Sequence, residues 1–407
     1  MVEAKAVSEH ERGNIGMLRA YLMLSGTFLM GLPKFMEMPE DVSATEQVKH
    51  LMKWRDDATE KKWMEKTGVS PLHVACGLGH TDAVREMLQD KEMMAFLNKK
   101  MGVINKMDAD YGKDRAKAMG TATIVETINH ATPLAVAMLC GTPEMIKDLM
   151  AAGANPGSFE FGIGCQMGPL ENMKAFVEMA GAKFDITAKG GMDMMCNTPL
   201  HNVAMFGDSM NQFEKISYLL ENGASKSIGM RNMMGFTPLS GLCMNMDSNP
   251  KCVKLLIDHG AKIDERDKPG LLFRAVRGLM ATMAKTKKYR NMQMMVDMFG
   301  YGRQPLHHAS KNANVNMLRA LHAAGAPIDA MDGKKQSAHD LCVKAMPDSH
   351  APELLSDVLL PKDQLKKSVN VVKAVGKMQA LTRSSKVHPA GGEAKAANKY
   401  AVAVTAE

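Results

Sequence analysis

Cysteine and histidine, two residue types that often carry chemistry, recur along the chain. It has seven cysteines in 407 residues. A Cys-x-x-Cys pair would predict a zinc or redox site, but no two cysteines have this spacing. Cys76, Cys243 and Cys342 share one position of a repeated segment, where a small residue is expected, and Cys165 occupies the neighbouring small position. We therefore interpret these thiols as small core residues and expect no metal site.

Four histidines share one repeat position, which favours a structural role over a catalytic one. They are His73, His201, His307 and His339. A catalytic residue would be expected once, whereas these recur in register. The adjacent His307 and His308 lie on different faces of a helix, so they do not form a chelating pair. The sequence predicts no catalysis by these groups.

A glycine-rich segment at residues 162–168 is a third candidate for chemistry. Its spacing is Gly-x-Gly-x-x-x-Gly, whereas dinucleotide-binding loops use Gly-x-Gly-x-x-Gly after a strand and before an acidic residue. The sequence contains no Walker loop, nucleophile elbow or His-Glu-x-x-His motif. Residues 1–66 and 361–407 are too short for a separate catalytic domain. We therefore predict that the chain is not an enzyme and needs no cofactor.

An internal repeat supplies the elements that position these residues. A segment that begins Thr-Pro-Leu-His or a close variant is followed each time by a second apolar stretch, which usually ends in Gly-Ala. The positions equivalent to the proline at 238, 271, 305 and 337 are separated by 33, 34 and 32 residues. A weak copy around 161–182 keeps the second stretch but has lost the Thr-Pro opening. The clear copies begin at Ser70, Thr132, Thr198, Thr237 and Gln304.

This pattern resembles the ankyrin repeat family over about residues 67–345. The resemblance implies a helix, a tight turn, a second helix and a β-hairpin finger in each repeat, and histidines that hydrogen-bond to the backbone and to the threonine hydroxyl. Threonine before proline caps the first helix, and glycine ends the second. One repeat cannot bury its apolar faces alone, so neighbours must stack. We predict an all-α dominated repeat solenoid of about seven to eight repeats, several of them degenerate.

The array has irregular parts that define the domain organisation. Residues 1–66 are expected to form an N-terminal helical cap, with Val48, Leu51, Met52 and Trp54 apolar. The array occupies residues 67–360. Residues 101–130 are either an insertion, which we favour, or a lost repeat. Residues 268–303 are interpreted as a basic degenerate repeat, and residues 361–407 as a basic, flexible tail.

The net charge of +7 is concentrated in two segments. Residues 361–407 carry +6 and residues 268–303 carry +7, so the remaining chain carries −6. In isolation, residues 271–299 resemble a calmodulin-target or membrane-surface helix. We favour two helices of a repeat, joined by an exposed basic turn for an acidic protein, lipid head groups or nucleic acid. The binding candidates in that turn are Lys285, Lys287, Lys288 and Arg290.

Methionine is unusually abundant, with 40 residues. Met87, Met145, Met150 and Met317 occupy positions where the repeat takes leucine or isoleucine, which predicts core packing. Other methionines fall in the predicted fingers, where flexible thioethers suit an adaptable binding surface. The finger candidates for partner binding are Met192, Met194, Met195, Met230, Arg231, Asn232, Met233 and Met234.

These observations predict an intracellular, non-enzymatic scaffold or adaptor that binds one or more proteins through fingers and inner helices. Free cysteines indicate a reducing compartment, most simply the cytoplasm, with an organelle interior as an alternative. The apolar stretch at 20–33 is too short for a membrane helix. One alternative function is a permanent structural subunit of a large, possibly organellar assembly. A second is a regulatory adaptor on an anionic membrane, protein or nucleic-acid surface. No small-molecule substrate is expected.

Overall fold

The computed structural model describes residues 43–53, 70–100, 131–190, 196–207, 210–285, 296 and 302–345. These residues form a helical repeat array. The predicted Trp54 of the N-terminal cap, the 101–130 segment and the basic tail lie outside the described residues.

Helices come in pairs, an inner helix followed after a short turn by an outer helix. Helix α1 (Ala44–Met52) precedes the first pair, α4 (Lys91–Met94) follows it, and α13 (Leu271–Ala284) follows the fifth. The pairs are α2 (Pro71–Leu78) with α3 (Thr81–Met87), α5 (Pro133–Cys140) with α6 (Pro143–Ala151), α7 (Ser158–Met167) with α8 (Leu170–Ala180), α9 (Pro199–Phe206) with α10 (Gln212–Glu221), α11 (Pro238–Met244) with α12 (Lys251–Asp258), and α14 (Pro305–Lys311) with α15 (Val315–Ala323). The last described inner helix is α16 (Ala338–Ala345).

Inner helices begin as the sequence predicts. The hydroxyls of Ser70, Thr132, Thr198 and Thr237 accept a hydrogen bond from the backbone N–H three residues later, and proline follows each one. The hydroxyl satisfies a backbone donor that the first helical turn leaves free, and proline has no such donor to satisfy. Each cap of this kind contributes about 1 kcal/mol to stability.

One continuous core runs through the stacked helices. The leucines that follow the repeat prolines are at most 1% exposed: Leu72, Leu134, Leu200, Leu239 and Leu306. Met87, Met145 and Met317 are fully buried, and Met150 is partly buried against the same core. The predicted core role of these methionines is therefore confirmed.

The third pair, α7 with α8, lacks the Thr-Pro opening and is held by aromatic packing. Gly157 precedes α7 and provides no side-chain cap. The rings of Phe161, Phe176 and Phe184 pack against one another with centroids 5.0–5.2 Å apart. Phe161 and Phe176 are fully buried. Burial of large aromatic rings stabilises this pair in place of the missing cap.

Neighbouring inner helices pack directly on each other, which tests the register predicted from sequence. Helix α2 packs on α5, so no repeat layer lies between them despite the 101–130 segment. Helix α11 likewise packs on α14, and α12 on α15. The prediction that residues 268–303 form a repeat layer of the stack is therefore wrong. Its described helix α13 lies outside the stack.

The fingers are short turns in the described residues, and not hairpins of paired strands. A single antiparallel bridge joins Met331 and Ser337. At the N-terminal side, α1 packs against the outer helix α3, and Leu51 is fully buried.

Candidate functional site

Three of the described fingers are each closed by a backbone hydrogen bond. The Asn232 N–H donates to the Phe236 carbonyl at 3.0 Å, and the Asp332 N–H donates to the Gln336 carbonyl at 2.9 Å. The Asp267 N–H donates to the Arg303 carbonyl at 2.8 Å. Three residues separate the first two pairs, whereas thirty-five separate the third. Residues 268–302 are therefore an insertion within a finger.

Long basic side chains brace successive fingers. Lys189, Arg231 and Arg266 each directly precede a residue whose N–H donates across its finger, namely Gly190, Asn232 and Asp267. Lys189 Nζ donates to the Arg231 carbonyl at 2.8 Å, and Arg231 Nη1 donates to the Arg266 carbonyl at 2.7 Å. Arg266 Nη1 donates to the Met331 carbonyl at 2.8 Å. We call this set, with the turns it connects, the braced finger edge. It links four successive fingers side by side.

Arg231 is the best-connected member of this edge. Its guanidinium also donates to the Gly235 carbonyl at 3.0 Å and pairs with the carboxylate of Glu265. The side chain is 23% exposed. A planar guanidinium suits this use because it presents several donors in a fixed fork. Arg231 therefore holds the edge together, and its own surface is small.

The finger at 230–236 divides the predicted binding residues into buried and accessible ones. Asn232 is 4% exposed, and its Oδ1 accepts hydrogen bonds from the Met234 and Phe236 N–H groups. Met234 is 8% exposed and packs with Met205 and Phe236. Met230 and Met233 are partly exposed. Asn232 and Met234 thus shape the turn, and the two other methionines offer surface.

The remaining predicted binding residues are placed as follows. Lys285 is exposed directly after α13. Six others lie outside the described residues: Met192, Met194, Met195, Lys287, Lys288 and Arg290.

Two repeat histidines, His73 and His201, tie their inner helices to the finger that follows. His201 Nε2 lies 2.9 Å from the Phe236 carbonyl, and its Nδ1 lies 2.8 Å from the Thr198 hydroxyl. A carbonyl only accepts, so Nε2 carries the proton. His73 bridges the Ser70 hydroxyl and the Ala131 carbonyl in the same way, at 2.7 and 3.2 Å. Burial lowers the pKa of each imidazole to about 4. The implied structural role is confirmed for both.

A buried carboxylate that the sequence did not single out joins two inner helices to the inserted finger. Asp267 is 3% exposed. Its Oδ2 lies 2.6 Å from His308 Nε2, and its Oδ1 accepts from the Ser240 hydroxyl at 3.1 Å. Ser240 stands where other repeats have histidine, and this substitution is the signal that could have pointed to a different partner. The His308 ring also packs edge-on against Phe236, with centroids 5.4 Å apart.

The four cysteines at small repeat positions are buried as predicted: Cys76, Cys165, Cys243 and Cys342. All seven cysteines are free thiols, and Cys76, Cys165 and Cys243 are fully buried. Burial raises the pKa of these three thiols above the ordinary range. A protonated, buried thiol is a poor nucleophile. Among the described residues, no group of three His, Cys, Asp or Glu side chains could hold a metal ion.

The glycine-rich segment is a packing surface. A Cβ on Gly164 would lie 2.3 Å from Met138 Cε, and one on Gly168 would lie 2.1 Å from the Met138 carbonyl oxygen. A Cβ on Gly162 would lie 2.9 Å from Asn202 Nδ2. These glycines let α7 approach its neighbours closely, as expected of the inner helix of a degenerate repeat.

Inner helices offer little surface. In α2, α5, α9, α11 and α14, every residue but the last is buried. The partly exposed last residues are Leu78, Cys140, Phe206, Met244 and Lys311. Apart from α16 at the end of the described stack, accessible area in the described part of the array therefore lies chiefly on the fingers, the outer helices and the turns. None of the described helices is long and apolar enough to cross a membrane.

Paired helices stacked in register, with a row of finger turns along one edge, define a helical repeat array. Comparison with known proteins agrees. Models of ankyrin repeats match residues 67–99, 163–267 and 301–333, and so leave out the inserted segment. The chain thus contains ankyrin repeats.

Two solved structures are similar to the chain. The ankyrin repeat domain of Bcl-3, a unique member of the IkappaB protein family, has 19% identity and a TM-score of 0.40, and the match covers 68% of this chain and 94% of that one. The human ASB11 ankyrin repeat domain has 21% identity and a TM-score of 0.42, with 72% and 99% covered. No curated protein sequence matches the chain significantly.

Proposed function

We propose that the chain is a non-enzymatic scaffold that binds one or more proteins through the braced finger edge. Ankyrin repeats are in general protein–protein interaction modules. The observation that carries the proposal is the series of side-chain bonds from Lys189 through Arg231 and Arg266 to the Met331 carbonyl. Loops held in one arrangement before binding lose less conformational entropy when a partner arrives.

Accessible methionines give this edge its contact chemistry. Met230 and Met233 are partly exposed, and Met331 is 49% exposed. Methionine adapts its unbranched side chain to irregular apolar surfaces. The inner helices α2, α5, α9, α11 and α14, a class of element that the sequence also nominated for binding, are buried except at their last residues and so do not extend this surface. The proposal therefore rests on the finger edge alone.

Site-specific photo-crosslinking tests the proposal. Full-length chain carrying a photoreactive residue at Met230, Met233 or Met331 is irradiated in native extract, and crosslinked proteins are identified by mass spectrometry. Met246 is the matched control, because it is 74% exposed but lies in the turn between α11 and α12. We expect defined protein adducts from the three finger positions and few from position 246.

Substitution supplies the second measurement. Changing Met230, Met233 and Met331 together to serine removes apolar contact area while leaving the buried core intact. We expect recovery of the crosslinked partner to fall about tenfold or more, and Met246→Ser to leave it unchanged. Adducts of equal yield from position 246 would contradict binding at the finger edge and would favour a subunit embedded on several sides.

A further inference from the structure

The inserted finger presents a helix face that the repeat stack does not use. Helix α13 is anchored through Phe273, which packs on the cluster of Met205, Met234 and Phe236. Its inward side also includes Ala284, which is 6% exposed. The opposite side is open along the whole helix. We call it the α13 face, and its exposed residues are Leu271, Arg274, Ala275, Gly278, Leu279, Thr282 and Lys285.

Two large apolar side chains stand out on this face. Leu271 is 78% exposed and Leu279 is 62% exposed. They are eight residues apart, so they lie on the same side of the helix about 12 Å from each other. Between them are the small residues Ala275 and Gly278, and a Cβ built on Gly278 meets nothing within 4 Å. The face is therefore a shallow apolar strip with a leucine at each end.

Charge on and beside the strip has one sign. Arg274 and Lys285 are exposed on the face, and Lys268 is exposed just before the helix. Residues 268–285 contain no aspartate or glutamate. A partner surface that complements the strip must carry acidic groups around an apolar centre. Electrostatic complementarity of this kind chiefly sets specificity and the rate of association.

The side-chain sizes favour a protein partner over a lipid surface. Helices that lie on membranes bury a broad stripe of large apolar residues. Here the bulky Phe273, Met280 and Met283 are partly buried, and the outward centre is small. Small residues let a second helix approach closely, and its apolar side chains can pack into the space between the two leucines.

We propose that the α13 face docks an acidic amphipathic helix of a partner protein. The proposal deepens the proposed function by naming the chemistry of one partner segment, and it uses a surface separate from Met230, Met233 and Met331. It requires apolar side chains at helical spacing on the partner, flanked by more acidic than basic residues.

The test begins with a photoreactive residue at position 275 or 278 of the full-length chain, irradiated in native extract, with position 246 as control. The crosslinked peptide is sequenced by mass spectrometry. We expect a segment of another protein with net negative charge and apolar residues at intervals of three and four. Adducts with phospholipid, with a second copy of this chain or with a neutral or basic segment, or a yield no higher than at position 246, overturn the proposal.

A synthetic peptide of the crosslinked segment then allows a titration against variants of the full-length chain. Leu271→Ser with Leu279→Ser, and Arg274→Glu with Lys285→Glu, are each expected to weaken binding at least tenfold. All four positions are exposed, so folding is expected to be unaffected. Lys251→Glu is the charge control, because Lys251 is exposed on α12, and it is expected to bind as wild type. Binding that survives both double substitutions contradicts docking on this face.

These outcomes are distinguishable from failure of the proposed function. Crosslinks from position 233 without crosslinks from position 275 would leave the finger edge intact and remove only the α13 docking site. Crosslinks from position 275 alone would remove the finger edge instead.

Discussion

Replacing His201 by asparagine should destabilise the array at neutral pH much more than at pH 5. His201 is fully buried and joins the Thr198 hydroxyl of its own helix to the Phe236 carbonyl of the following finger. Asparagine is too short to reach both. At pH 7 the substitution leaves a buried carbonyl without a donor, which costs about 1–3 kcal/mol.

Acidification reduces the difference in stability between wild type and variant, because the pKa of His201 is lower in the folded chain than in the unfolded chain. Burial lowers the pKa of His201 from 6.5 to about 4, although its bond to the Phe236 carbonyl opposes the shift. Between these values the unfolded chain binds a proton that the folded chain does not, so stability is full above pH 6.5 and falls as the pH approaches 4. On going from pH 7 to pH 5, the wild type therefore loses about 2 kcal/mol of its free energy of unfolding through this one imidazole. The asparagine variant loses nothing by this route.

Urea unfolding of both proteins at pH 7 and pH 5 measures the difference. We expect the gap in the free energy of unfolding between wild type and His201→Asn to shrink by about 2 kcal/mol on acidification. His322→Asn is the control, since His322 is exposed on the outer helix α15, and it should change little at either pH. A gap for His201→Asn that is the same at both pH values would refute a buried neutral bridge.

Three further substitutions test the packing. Gly168→Ala should lower the free energy of unfolding by more than about 2 kcal/mol in urea titrations, because the added Cβ would overlap the Met138 carbonyl oxygen. Gly278→Ala should instead raise the free energy of unfolding by about 0.5–1 kcal/mol, because that helical site has room for a Cβ. Asp267→Ala should lower the free energy of unfolding by about 3 kcal/mol, since it leaves His308 and Ser240 buried without their acceptor. It should also increase proteolysis of the inserted finger. Unchanged cleavage would contradict the idea that Asp267 holds this finger to the two inner helices. Thr198→Ala should lower the free energy of unfolding by about 1 kcal/mol in thermal or urea unfolding, because it removes the side-chain cap of α9. An unchanged value would argue against a stabilising cap at Thr198.

Local chemistry explains which parts of the fold could be predicted from the sequence. A hydroxyl before proline and a leucine after it determine where an inner helix begins and which side it buries, and both effects act within a few residues. The buried Leu200 and the bridging His201 were therefore predictable. The buried positions of Asn232 and Met234 were not, because a turn bends its backbone inward to satisfy the Met234 and Phe236 N–H groups.

The inserted finger shows where counting residues misleads. Thirty-five residues between Asp267 and Arg303 are close to one repeat period, so spacing alone cannot separate an insertion from a degraded repeat. Two local signals were available. Asp267 and Asp332 both follow the glycine of Gly-Ala by seven residues, which places them at the same point of a finger. Residues 270–272 also lack the hydroxyl and the proline that begin a stacked inner helix.

An insertion placed within a finger has a physical consequence for function. The bond from the Asp267 N–H to the Arg303 carbonyl closes the base as tightly as in the finger at Asn232, so the stack is continuous beneath it. Asp267 also fixes this base to two inner helices through Ser240 and His308. Helix α13 can therefore change its exposed sequence without altering the packed array. In the docking that we propose, the repeats supply a rigid support, and the residues that contact the partner lie on an inserted segment whose exposed residues are free to differ.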